Sequence, residues 1–149
     1  MKPRWILALL ASLTIASPAA LVAQTMELRS AMQDMGQNMQ TAVDAISRQD
    51  WSRVAQAAAR IVKHPQPSDA EKARIIGFFA AEMGRFKAID SQTGEAAAEL
   101  ERVAVAGKGS EVINAFARVQ TACLNCHEAF RDRFLSRFYL PDGKTLRAD

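Results

Sequence analysis

Apolar side chains recur along this chain at steps of three and four almost from end to end, and no stretch alternates strictly as a half-buried strand would. The pattern predicts an all-α protein. A first helix is expected over residues 25–48, with Leu28, Met32, Met35, Met39, Val43 and Ile46 along one face and Gly36 interrupting it at modest cost. A second helix, capped by Asp50 or Ser52, turns Trp51, Val54, Ala58, Ile61 and Val62 inward. It has to stop ahead of Pro65, because the residue before a proline is pushed out of the α region. His64, Pro65, Gln66 and Pro67 therefore read as a linker.

Ser68 and Glu71 then have the spacing of a capping box, in which the hydroxyl satisfies one free amide and the carboxylate reaches back to another. An extra short helix should follow, to about Met83. Phe86, Ile89, Thr93, Ala96, Ala97, Leu100 and Val103 form the stripe of a further long helix, whose start Gly94 weakens. Gly107 and Gly109 end it, and Ser110 is expected to cap the last helix. There Val112, Phe116, Val119, Cys123, His127, Phe130 and Phe134 share one face. From Ser136 onward the character changes: Pro141, Asp142 and Gly143 signal a turn, the last residues are polar, and the tail is expected to be loosely ordered.

The N-terminus changes the compartment. Residues 1–23 read as a secretory signal, with Lys2 and Arg4 ahead of an apolar run from Trp5 to Ile15 and a small-residue stretch ending at Ala23. The competing reading is an uncleaved anchor; Ser12, Thr14, Ser17 and Pro18 argue against it. Removing the segment takes Lys2 and Arg4 from the 19 basic residues and leaves 17 against 16 acidic ones, so the formal net charge falls from +3 to +1. No basic block with interleaved aromatics supports nucleic-acid binding. There are no internal repeats, phosphate-binding glycine loops or Ser/His/Asp arrangements. What remains, residues 24–149, is one domain of ordinary size.

Cys123, Cys126 and His127 spell C-x-x-C-H, the pattern for covalent attachment of a c-type haem. Two thiols at this spacing each add to a porphyrin vinyl group, and the adjacent imidazole is delivered to the iron as proximal ligand. The only two cysteines and one of the only two histidines fall within five residues, which makes chance a poor explanation. A thioredoxin-like dithiol would need the pair at a helix start after a strand, and a structural zinc site would need a fourth ligand, for which only His64 remains. A haem-free helical protein with a redox dithiol is the alternative from another class.

With the motif in its last helix, the chain resembles the class II c-type cytochromes, the cytochrome c′ and cytochrome c-556 family. The likeness covers nearly all of residues 24–149. Its specific parts are Ala115, Phe116 and Val119 leading into Cys123, Cys126, His127, Glu128, Phe130 and Arg131, and the first-helix run containing Arg29, Met32, Met35, Gly36 and Met39. The resemblance implies an exported, periplasmic four-helix bundle with one covalent haem c, and Arg131 matches an arginine close to the haem in many members. Two features depart from the pattern: residues 69–85 look more helical than the usual loop, and the chain runs further beyond Arg131.

The resemblance leaves the sixth iron position open. Cytochromes c′ leave it empty, whereas c-556 relatives fill it with a first-helix methionine, for which Met32 is the matching candidate. The competing role for Met32, and the expected one for Met35 and Met39, is to fill irregular core space. His64, beside Pro65, reads as a solvated linker histidine; Trp51, Phe116, Phe130 and Phe134 read as core or haem-packing aromatics. The expected activity is that of a one-electron carrier rather than an enzyme, serving redox partner proteins. A five-coordinate cytochrome c′ that binds NO or CO is the alternative. By resemblance, a homodimer through the first two helices is a candidate assembly, and the extended tail is compatible with docking in a larger redox complex.

Overall fold

The computed structural model describes residues 26–139. The expected signal segment and the turn at Pro141 lie outside them. Six α-helices follow in order: α1 Glu27–Ser47, α2 Trp51–Val62, α3 Asp69–Phe79, α4 Met83–Val105, α5 Gly109–Cys126 and α6 Asp132–Phe138. A 3₁₀ turn, Ala80–Glu82, joins α3 to α4, and a π-helical turn, His127–Arg131, joins α5 to α6. The four long elements α1, α2, α4 and α5 make an all-α four-helix bundle. Within it α2 and α5 both lie along α4, α1 lies along α2, and α1 meets α5 only sparingly.

Small residues set the spacing of this bundle. Ala45, Ala55, Ala58, Ala97, Ala104 and Ala115 are buried beside Val54, Ile61, Leu100, Val103, Val112 and Val119, so the helices approach closely over a thin core. Met35, Met39, Ile46, Trp51 and Phe116 close its edges. A second cluster is built from Met26, Ile75, Phe79 and Phe130, with Leu28, Phe78, Phe86, Ile89, Phe134, Phe138 and Tyr139 packed around it. It joins the start of α1, α3, the first half of α4 and the chain after α5.

Helix ends follow the sequence in part. Asp50 caps α2 by accepting a hydrogen bond from the Arg53 amide at 3.0 Å. α4 begins at Met83 and passes Gly94 unbroken. Its end is a Schellman turn: Gly107 at φ 68° donates to Ala104 at 3.0 Å, and Lys108 donates to Val103 at 3.4 Å. α5 starts one residue before the expected cap Ser110, at Gly109 with Lys108 in the cap position; the Trp51 ring packs against Gly109, 3.3 Å from a Cβ built there, so a side chain at 109 would crowd it. The capping box is also corrected: the Ser68 side chain makes no capping bond, and Glu71 turns to α1 instead. The first part of the expected loose tail is ordered, since α6 runs to Phe138 and both Phe138 and Tyr139 pack on the second cluster.

α1 ends in the same Schellman geometry as α4, but with Gln49 at φ 59° where a glycine would be unstrained. Gln49→Gly is therefore expected to stabilise the protein by roughly 0.5 kcal/mol, strain relief outweighing chain entropy, while Gly107→Ala destabilises it by about 1 kcal/mol. Urea unfolding of both variants checks this; a shift in the same direction for both would refute it.

Candidate functional site

The last turn of α5 carries both cysteines of the motif and the π turn its histidine, and their environment is divided. Cys123 borders the bundle core, whereas Cys126, three residues on, borders the aromatic cluster. Both thiols are free and half-buried. Burial pushes each above the usual cysteine range, and for Cys126 the Asp90 carboxylate adds to the effect. Both are therefore neutral thiols at pH 7.

His127 opens the π turn. Sequence periodicity places it inside the apolar stripe, but its side chain is exposed. His127 itself still donates its backbone N–H to the Cys123 carbonyl as in an α-helix, and the wider π turn shifts the register only after it, where Phe130 is buried. Desolvation by its surroundings, and then the positive charge of Arg131, hold the imidazole below the usual histidine range. Its neutral form, with a free lone pair, is the one a metal needs. Arg131 lies exposed one turn on, with Asp132 3.5 Å away.

Aromatic rings brace this segment. Phe130 meets Phe79 of α3 and Phe86 of α4 edge-on, at centroid distances of 5.2 and 5.3 Å, and Phe79 stacks on Phe86 at 5.8 Å. Phe78 continues the contact to Phe138 of α6 at 5.5 Å. Such pairs contribute about 0.5–1.5 kcal/mol each beyond their buried area. Arginines close the outer side: Arg85 lies 5.7 Å from the Phe130 ring centre and Arg133, paired with Glu82, 5.5 Å from that of Phe79.

The start of α1 completes the surroundings. Leu28 packs on the same cluster as Cys126, and Met32 follows four residues later on the same helix face. Met35 and Met39 pack against the bundle core, as filler methionines would; Met32 belongs to neither cluster and is 37% exposed. His64 stays in the linker, its Nδ1–H donating to the Ile61 carbonyl at 2.9 Å and its Nε2 accepting from Gln66 at 3.1 Å. The surface groove beside it, lined by Met35, Asn38, Arg60 and Lys63 among others, runs between α1 and α2 and includes no residue of α5.

Sequence reasoning missed Phe79, Ile75, Phe138 and Tyr139 as walls of the site, although the adjacent pair Phe78 and Phe79 on a short helix was a readable signal. It missed Glu71 as a cross-helix partner, and no local pattern could have found it.

The donor set fits a covalently held haem. Two neutral thiols three residues apart face apolar walls, and a neutral imidazole adjoins them. The rival chemistries fit worse: a structural zinc site takes four ligands, and among the described residues no group of three or more His, Cys, Asp or Glu is placed to hold a metal ion. The cysteines sit at the C-terminal end of a helix in an all-helical fold, which is not the setting of a thioredoxin-like dithiol. No helix among the described residues is long and apolar enough to cross a membrane.

Comparison with known proteins bears on the same reading. No curated protein and no solved structure matches the chain. The family model described as Cytochrome C' matches residues 23–131, which takes in the bundle, the C-x-x-C-H segment and the π turn but not α6. Fold, motif and match agree that this chain belongs to the cytochrome c′ family of haem-binding class II c-type cytochromes.

Proposed function

We propose that the chain is an exported, periplasmic monohaem c-type cytochrome that acts as a one-electron carrier between redox partner proteins, without being an enzyme. When bound, the haem supplies a one-electron iron couple. Cys123 and Cys126 tether it through two thioethers, and His127 is the proximal iron ligand. Phe86 and Phe130 give Cys126 an apolar wall, and Arg131 supplies a positive charge close to the imidazole. Residues 1–23 act as the signal that brings the chain to the compartment where attachment takes place.

The observation that carries the electron-transfer reading is Met32. Of the three methionines within α1, two pack into the core and Met32 stays outside both clusters, on the face that leads from Leu28. A flexible thioether kept out of the core, near the turn that shares a cluster with Cys126, is suited to serve as the sixth ligand. A neutral soft ligand favours ferrous iron and raises the potential, which suits electron exchange. The match to cytochrome c′ favours a second reading, a five-coordinate iron that binds NO or CO, because by resemblance that branch leaves the sixth position empty.

Intact-mass measurement on protein matured in a periplasm tests attachment. The wild type is expected to carry one haem, Cys123→Ser and Cys126→Ser to lose most of it, and the double variant to lose all covalent haem. An unmodified wild-type chain would instead support the dithiol alternative. Spectroscopy of the ferrous protein tests the ligand. If Met32 occupies the sixth position nine-tenths of the time, Met32→Ala converts a low-spin spectrum to high-spin and raises CO affinity about tenfold. A wild type that is already high-spin, with CO affinity unchanged by the substitution, establishes the gas-binding reading.

A further inference from the structure

α1 begins without a cap of its own and takes one from α3. Met26 occupies the cap position and offers no side-chain bond. Instead the two carboxylate oxygens of Glu71 accept from the Glu27 and Leu28 amides, at 2.7 and 2.8 Å. Glu71 is only 6% exposed. A carboxylate buried this far is tolerated where its charge is answered, and two amides at the positive end of a 21-residue helix answer it. The link is reciprocal, because the Glu27 carboxylate accepts from the Ser68 amide at the start of α3. Farther out, the Met26 amide donates to the Tyr139 hydroxyl at 3.2 Å, and Arg29 lies 5.0 Å from the centre of that ring.

The consequence is positional. α1 and α5 touch only sparingly, so packing between them does little to fix where the first turn of α1 stands relative to the C-x-x-C-H segment. Packing between α1 and α3 is sparser still, and what joins them is the Glu71 carboxylate on the first amides of α1, while α3 reaches Phe130 through Phe79. One of the two bonded amides belongs to Leu28, the residue that packs on the cluster bordered by Cys126, and Met32 lies one turn further on.

We propose that Glu71 is a positioning residue for the sixth iron position: by fixing the first turn of α1, it sets how often the Met32 thioether occupies that position. The proposal rests on the reading of Cys123, Cys126 and His127 as the haem anchor and of Met32 as the distal ligand. Glu71 acts through backbone and touches no haem atom. α3 thereby becomes part of the redox centre rather than an ornament on the bundle.

The test uses the full chain matured with haem: wild type, Glu71→Gln, Glu71→Ala, and Val112→Ala as a packing control. Val112 is fully buried on α5, eleven residues before Cys123 and so roughly 16 Å away along the helix. Covalent haem, ferrous spin state, CO affinity and Tm are measured on each. All four are expected to carry one haem. Glu71→Ala raises CO affinity about tenfold and gains a high-spin component; Glu71→Gln, which keeps one acceptor oxygen, changes less. Val112→Ala lowers Tm and leaves CO affinity at the wild-type value. Wild-type CO affinity in Glu71→Ala, or an equal rise in Val112→Ala, would reduce Glu71 to a stabilising cap and overturn the proposal. A wild type with haem attached but the sixth position already open overturns it too, while leaving the anchor intact. A wild type without covalent haem overturns the anchor itself.

Discussion

The position of the C-x-x-C-H segment depends on the packing of Phe130 between Phe79 and Phe86. α5 is held along its length by α4, but it makes little contact with α1, and its last turns extend past the alanine-rich part of the bundle. Without a second apolar wall, Cys126 would stand in water on a helix end free to fray, since only Cys123 reaches the bundle core. Three rings from three different elements supply that wall. The π turn is a local adjustment in the same place: the helix widens between His127 and Arg131, with Phe130 turned into the cluster and His127, three residues before it, exposed.

The two apolar clusters do different work. The bundle core is rich in alanine, so its helices approach closely and bury little apolar area per residue, each alanine contributing far less than the roughly 1.5–3 kcal/mol of a large aliphatic side chain. Its contribution is geometric, a rigid frame that fixes α4 and α5. The second cluster carries the large side chains, and its members come from residues far apart in the chain, Met26 to Tyr139. Stability at the functional end is thus concentrated in a few aromatic contacts and one buried carboxylate, which makes that end more sensitive to single substitutions than the frame is.

Much of this was legible in the sequence, for a physical reason. The 3.6-residue period of Leu100 and Val103, or of Val112 and Val119, states which face is buried, and the proline pair at 65 and 67 states where a helix cannot continue. The motif residues Cys123, Cys126 and His127 are a local pattern and were read locally. What was not legible was long-range. Glu71 has the spacing of a capping box with Ser68, and nothing near it announces that its partners are the amides of Glu27 and Leu28, more than forty residues back. The exposure of His127 was hidden for a related reason, since periodicity gives the face a residue shares with Val119 and Cys123 but not whether another element lies opposite to cover it. Tyr139 lay in a stretch whose polar composition suggested looseness, yet its ring and hydroxyl both find partners on α1.

The division of the cysteines between the clusters has a further physical meaning. Cys123 touches the rigid frame and Cys126 the aromatic end, so a group bonded to both sulfurs would bridge two parts of the protein that are otherwise joined by α1 and α4, which have side chains in both. Displacement of the aromatic end relative to the frame would then be felt at the bonded group, and the reverse also holds, because coupling free energies are reciprocal. A chain that only needed to carry a tethered cofactor could place both thiols in one environment. Splitting them, and bracing the second with the helix that also holds the start of α1, makes the surroundings of the two thiols a property of the whole aromatic end rather than of α5 alone.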